Sequence, residues 1–413
     1  MFSKVKKFLY FPIAYYFRFF AQIQLSLWKP KIIVITGSNG KTTLLHIIES
    51  QLGSKAKYSH HANSAYGIPF NILGLEREKL TIGEWPMLFL LAPLKAFKFP
   101  PKEKIYIVEA DCDRPFEGKF LAQLLRPETT IWLSVSKTHT VNFPAPVEEN
   151  VGKEFGNFLE YTKKSSIING DSKLITDQLS RTKSEIKKIT KKNHLQNYQL
   201  SKDGTSFKID EKTYSIKYLL PEDTFYLLAA VITLLRKLDI PLDLKFNNFV
   251  LPPGRSTILA GIKKTTIIDS SYNATPASVA AILRMFKKYP GKKWAIIGDM
   301  IELGTEEEIE HEKLAEEIVQ TGLAKVILVG PRVTKYTYPK LKSLTNVPIE
   351  TFINPGETLD YLEKNIKGEE VLLFKGARFL EGIIEHLLKN KNDINKLCRR
   401  EKAWQQRRKK WGL

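Results

Sequence analysis

Apolar positions along the chain fall into two alternating patterns. Residues 32–35 (Ile-Ile-Val-Ile) form an unbroken β-branched run, which suits a strand covered on both faces. Similar runs recur at 104–111 (K-I-Y-I-V-E-A-D), 129–135 and 166–169. Helical spacing separates them, beginning with Leu44, Leu45, Ile47 and Ile48. Strands alternating with helices predict an α/β fold with a mostly parallel sheet. Residues 197–220 switch to period-two alternation around an Asp-Gly turn, which predicts antiparallel hairpins. A helix is expected at about 222–237, and L-P-P-G-R at 251–255 reads as a hinge. From Thr265 the strand–helix rhythm restarts. Strands are expected at 265–269, 293–298, 325–329 and 370–374, and helices at about 276–288, 306–321, 356–365 and 378–389. This describes a smaller, Rossmann-like α/β domain at the C-terminal end. The expected organisation is an aromatic and basic segment (1–30), a central domain (31–255), a C-terminal domain (256–392) and a basic tail (393–413). There is no internal repeat, and the one biased tract is the lysine-rich stretch 183–192.

The first strand breaks into T-G-S-N-G-K-T-T, residues 36–43. Glycines at 37 and 40 let the backbone curl its N–H groups around an anion, and the helix that follows points its positive end the same way. Its spacing, G-x-x-G-K-T, is shorter than a standard phosphate loop. The strand before and the helix after it nevertheless point to a bound triphosphate. Gly37, Ser38, Asn39, Gly40 and Thr43 would cradle it, Lys41 would reach its terminal phosphates, and the Thr42 hydroxyl would hold Mg²⁺. ATP and Mg²⁺ are therefore the expected cofactors, in a P-loop central domain.

A chain of 413 residues holds two or three domains. Cys112 and Cys398 are its only cysteines, so a disulfide framework is not expected and a reducing, cytoplasmic compartment fits. The formal charge of +20 comes from 64 basic and 44 acidic residues. Most of the lysines are dispersed, as on a solvated surface, and no base-reading motif accompanies them, which argues against nucleic acid as the main partner. The two ends differ. Residues 1–30 combine Lys4, Lys6 and Lys7 with an aromatic block that Pro12 and Arg18 make too short to span a bilayer. They read as an interfacial helix on an anionic membrane, with packing on the protein's own body or on a second subunit as the alternative. Residues 399–411, with Arg407, Arg408, Lys409 and Lys410 between two tryptophans, suit the same surface, RNA, or a solvated tail.

Taken in order, T-G-S-N-G-K-T-T, N-S-A-Y-G-I-P, V-E-A-D, P-P-G-R with S-Y-N-A-T-P, G-D-M-I-E-L-G and F-K-G-A-R resemble the Mur ligase family. Within it they resemble the MurF-type branch, which adds D-alanyl-D-alanine to the muramyl-tripeptide nucleotide. The resemblance covers about residues 31–390. It implies an ATP-dependent amide ligase working through an acyl phosphate, with a peptidoglycan-precursor carboxylate and an amino acid or dipeptide as substrates. Lys41, Lys153 and Arg255 would be catalytic. Thr42 and Glu109 would hold the metal, with His139 and a carbamylated Lys153 at a second one. Arg255 and Asn273 would contact the nucleotide, with Arg255 swinging at the hinge as the domains close. Asn63, Asp299, Glu302, Lys375 and Arg378 would line the substrate cleft. Departures are the Ser270-Ser271 pair where the family carries a further acid, and Glu222-Asp223 in place of a His-Asn pair. The phosphate loop also begins where relatives first carry a uridine-nucleotide-binding domain. That domain is thus expected to be lacking, with a membrane-presented acceptor in compensation. Two alternatives remain: a family ligase acting on a non-cell-wall carboxylate, and a weakly catalytic ATP-binding subunit.

Overall fold

The computed structural model describes residues 9–77, 82–136, 142–202, 204–377 and 379–413. They form two compact units. The first comprises the described residues of Met1–Ser136, Asn142–His194 and Tyr226–Asp243, and the second those of Leu195–Phe225 and Leu244–Leu413. The division differs from the expected boundary after Arg255, because the antiparallel hairpins fold with the C-terminal unit.

The first unit opens with helix α1 (Tyr10–Trp28), which ends where Lys29 turns left-handed and donates its N–H to Leu25 O. Strand β1 (Lys31–Thr36) and helix α2 (Lys41–Leu52) follow. Next come β2 (Ala56–Tyr58), α3 (Gly67–Leu73), α4 (Trp85–Ala96), β3 (Ile105–Ala110), α5 (Glu117–Leu125), β4 (Thr129–Trp132), α6 (Val147–Glu160), β5 (Ser165–Asn169) and β6 (Glu185–Ile189). The six strands form one parallel sheet in the order β2-β3-β1-β4-β5-β6. After β1 the chain moves to one side for β2 and β3, then crosses back for β4. The loop at the carboxyl end of β1 therefore sits at the topological switch point, where open α/β sheets bind ligands. Every residue of β1 from Ile32 to Thr36 is buried, as the unbroken apolar run requires.

Helix α1 is a layer of this unit. It buries Ala14, Phe17, Ala21, Gln24 and Trp28, a stripe at helical spacing. Phe17 packs among Phe70, Trp85 and Phe89, with ring centroids 4.8–6.0 Å apart. Trp28 stacks at 5.0 Å on Tyr106 of β3, and its Nε1 donates to Glu103 O. Packing on the protein's own body, the alternative reading of this segment, thus describes the inner stripe of residues 10–28, because a stripe this apolar gains by joining the core.

The second unit begins with a three-stranded antiparallel sheet, β7 (Leu195–Leu200), β8 (Thr205–Ile209) and β9 (Lys212–Ile216), as its alternation predicts. Helix α7 (Thr224–Leu238) mostly belongs to the first unit. The main sheet of the second unit runs β10-β11-β15-β12-β13-β14. These strands are β10 (Thr257–Ala260), β11 (Thr266–Ser270), β12 (Lys292–Gly298), β13 (Lys325–Val329), β14 (Ile349–Phe352) and β15 (Glu370–Lys375). All neighbours are parallel except β10 and β11. Consecutive residues feed opposite faces: Ile268 and Ile297 join one apolar cluster, Ile267 and Ile296 the other. Helices α8 (Pro276–Lys288), α9 (Glu307–Val319), α10 (Tyr338–Leu344), α11 (Pro355–Asn365) and α12 (Leu380–Leu387) cover it. Helix α13 (Lys402–Lys409) closes the chain.

Candidate functional site

The phosphate loop is built by three adjacent strands. Gly37 has φ +124°, and a Cβ there would lie 2.7 Å from Ser134 O, so the loop and the segment after β4 approach as only glycine permits. That segment then laces the loop in place. Ser38 N donates to Ser134 O (3.1 Å) and Asn39 N to Ser134 Oγ (2.8 Å). Asn39 Nδ2 donates to Ser136 Oγ (2.9 Å), and Ser136 N to Ser38 Oγ (2.9 Å). Gly40, at φ +83°, starts α2, whose first turn carries no acid and so leaves its positive end open to an anion.

On the other side of β1, strand β3 and the residue that follows it supply two carboxylates. Parallel pairing sets Ile35 opposite Glu109, and Asp111 lies two residues on, toward the same face. Thr42 Oγ1 donates to Glu109 Oε1 at 3.1 Å. Lys41 Nζ lies 2.8 Å from Asp111 Oδ2 and donates to Gly37 O at 2.6 Å. Burial on its own would depress the Lys41 ammonium, but Asp111 and then Glu109 more than reverse this and hold its pKa above the ordinary lysine value. Ser59 Oγ accepts from Glu109 N, and Asn63 O accepts from Asp111 N, so the N-S-A-Y-G-I-P segment joins the same cluster. Thr43 is buried in the first turn of α2.

This donor set fits a magnesium-bound triphosphate. A hydroxyl and a carboxylate oxygen are hard ligands, and Mg²⁺ keeps the rest of its shell for water and phosphate. Among the described residues no group of three or more His, Cys, Asp or Glu side chains is arranged to hold a metal alone. Lys153 is exposed on α6. Its backbone O accepts from Arg181 Nη1, and its side chain forms no hydrogen bond or ion pair with Lys41, Thr42 or Glu109 among the described residues. Its neighbour Glu154 is the better-held group, with its carboxylate taking N–H bonds from Phe116 and Gly118 at the start of α5. His139 and Arg378 lie outside the described residues.

A second polar centre forms in the other unit, at the carboxyl ends of β11 and β15. Ser270 and Lys375 are register partners there. Lys375 Nζ is buried and donates to Asn273 O at 2.7 Å. Burial, helped by the Arg255 guanidinium, pushes its pKa down to about 7. The hinge motif docks on the S-Y-N-A-T-P segment: Tyr272 N donates to Gly254 O, and the Arg255 guanidinium sits 4.6 Å over the Tyr272 ring. Asp269 is fully buried beside them, its pKa raised to about 6 by burial against the opposing hydrogen bonds from Ser271. Thr275 and Ser278 form a capping box that opens α8 directly after Asn273.

Asp299 corrects the sequence expectation. It is fully buried, and its carboxylate accepts N–H bonds from Arg332 and Val333 while pairing with the Arg332 side chain. It anchors a turn and does not line a cleft. Glu302 is exposed in the adjacent loop, at φ +65°. Sequence reasoning missed Asp111, Ser134, Ser136 and Ser59. For Asp111 a signal was present, since it stands two residues after Glu109, just past the end of the strand.

Comparison with known proteins gives a consistent likeness. Residues 35–232 match the Mur ligase middle domain, and residues 254–378 match the Mur ligase glutamate ligase domain. The UDP-N-acetylmuramoyl-tripeptide–D-alanyl-D-alanine ligase of Bacillus subtilis is 23% identical over 385 residues, 87% of this chain and 76% of that protein. The Escherichia coli protein of the same name is 24% identical over 323 residues, 73% of this chain and 64% of its own. Among solved structures, MurF ligase from Thermotoga maritima in complex with ADP superposes with a TM-score of 0.75 at 20% identity, covering 93% of this chain and 84% of that one.

Proposed function

Because this chain belongs to the Mur ligase family, whose members form carbon–nitrogen bonds at the expense of ATP, we propose that it is a MurF-like peptide ligase of peptidoglycan-precursor synthesis. Its carboxylate substrate would be a muramyl-tripeptide nucleotide and its amine D-alanyl-D-alanine, as the names of its relatives state for them. The observation that carries the reading is the joining of Lys41, Thr42, Glu109 and Asp111 around the β1 loop. The reading as a weakly catalytic subunit has no support in so complete a cradle.

In this account the loop amides and Lys41 would neutralise the triphosphate, and Thr42 with Glu109 would hold Mg²⁺, whose chemistry there would be to offset the negative charge that collects on the departing ADP. A carboxylate oxygen attacks the outermost phosphorus as the bond to ADP breaks. The resulting acyl phosphate is then attacked by the amine, which loses its proton as phosphate departs. The substrate-side expectations attach to Asn63 and Lys375, which stand at the two polar centres. His139 and Lys153 keep the second-metal role as part of the same proposal.

Coupled ADP release tests it. Release is expected to need the muramyl-tripeptide nucleotide and D-alanyl-D-alanine together, with either alone near background. Equal stimulation by unrelated carboxylates would overturn the substrate assignment.

A further inference from the structure

Helices α1 and α4 lie side by side on the first unit and run in the same direction. Tyr16 Oη donates to Phe89 O (2.7 Å) and Phe17 packs on Phe89 at 5.2 Å. A turn or two further along, the Gln24 amide, oriented to suit its neighbours, donates to Ala96 O and Lys98 O. Each helix turns one apolar stripe inward: Phe17, Ala21 and Trp28 from α1, and Leu88, Ala92 and Ala96 from α4.

The opposite faces are also apolar. On α4 and its end, Met87, Leu90, Leu94 and Phe97 recur at helical spacing and are 59–72% exposed. On α1, Tyr15 and Phe19 are more than half exposed, and Phe99 beyond α4 stands at 96%. A helix on a protein surface normally turns polar residues outward, so two adjacent helices that do not mark an interaction surface.

Charge says what covers it. The carboxyl ends of the two helices meet, since Trp28 Nε1 donates to Glu103 O and Lys31 N to Lys104 O. Exposed Lys29, Lys98, Lys102 and Lys104 cluster there. We propose that the outer faces of α1 and α4 form a docking surface for an anionic lipid bilayer. The aromatic and leucine stripes enter the headgroup boundary, and the lysines pair with phosphates. Attachment is peripheral: no helix of the described residues is long and apolar enough to cross a membrane. A second copy is the poorer occupant, because a two-fold contact would bring the same basic cluster from both partners into one interface. Of the two ends the sequence offered for such a surface, only the first contributes to this one, through α1. The tail helix α13 directs Arg408 to Glu381, and the preceding Arg400 pairs with Glu385. The inference does not depend on the ligase reading.

Flotation of the full chain with vesicles tests it. Binding is expected to phosphatidylcholine vesicles containing phosphatidylglycerol, to weaken with salt, and to be far weaker without the anionic lipid. The exposed-site double variant Leu90→Glu/Leu94→Glu should lose at least about tenfold in affinity, and Lys98→Glu/Lys102→Glu should lose the anionic preference. Circular dichroism melts matching the wild type would confirm folding of both. Failure of the wild type to float, or flotation unchanged in the leucine variant, overturns the proposal. So does a concentration-dependent dimer, seen in sedimentation, that the leucine variant abolishes.

Discussion

Lys41→Ala is expected to slow substrate-dependent ADP release by two to three orders of magnitude, about the loss on removing one preorganised charge-stabilising group from an active site. The same change should also destabilise the fold. Lys41 is 7% exposed and Asp111 14%, and removing one partner from a buried pair costs about 3 kcal/mol, since the other charge stays behind unpaired. The two effects separate in the double variant Lys41→Met/Asp111→Asn. Urea denaturation of that protein should recover most of the lost stability, while its ADP release stays as low as that of the single variant. Turnover returning along with stability would mean that Lys41 serves the fold and not the phosphate.

The second large effect concerns pH. Lys375 titrates near 7 in the folded protein and near 10.5 when unfolded. Between those values the unfolded chain binds more protons, so stability must rise with pH across that window. Below pH 7 the folded state carries the full cost of a buried ammonium, about 5 kcal/mol for a depression of this size. Lys375→Met removes that dependence. Its melting temperature relative to wild type is expected to be highest near pH 6 and to fall steadily toward pH 9. In the wild type Lys375 is half neutral near pH 7, and the proposed function would have it accept a proton from the incoming amine. An inflection near pH 7 in kcat/KM for the amine substrate should therefore vanish in Lys375→Gln. Stability differences independent of pH would show that the side chain is not buried as a titrating group.

Much of this architecture was legible because local signals and long-range packing agree. The Ile32–Ile35 run, two glycines and Lys-Thr-Thr specify strand, turn and helix N-terminus within a dozen residues. The expected strand 325–329 and helix 276–288 match their observed bounds. What stayed hidden depends on neighbours distant in sequence. Ser134 and Ser136 hold the phosphate loop only because β4 pairs with β1, and no local pattern around Ser134 announces that pairing. Asp299 looked like a cleft acid until its partners at Arg332 and Val333 were seen. Helix α4 was missed because W-P-M-L-F-L-L-A-P-L-K-A is apolar on nearly every side and so carries no 3.6-residue period. The lysine-rich stretch 183–192 holds the edge strand β6, where charge suits a strand with one open side.

Oxygen-isotope transfer tests the centre of this account most directly. With the acceptor carboxylate labelled in ¹⁸O, phosphate released in the presence of ATP and D-alanyl-D-alanine should carry one labelled oxygen, because a carboxylate oxygen leaves with the phosphoryl group. Phosphate that emerges unlabelled, while the amide product forms, would mean that no acyl phosphate is made.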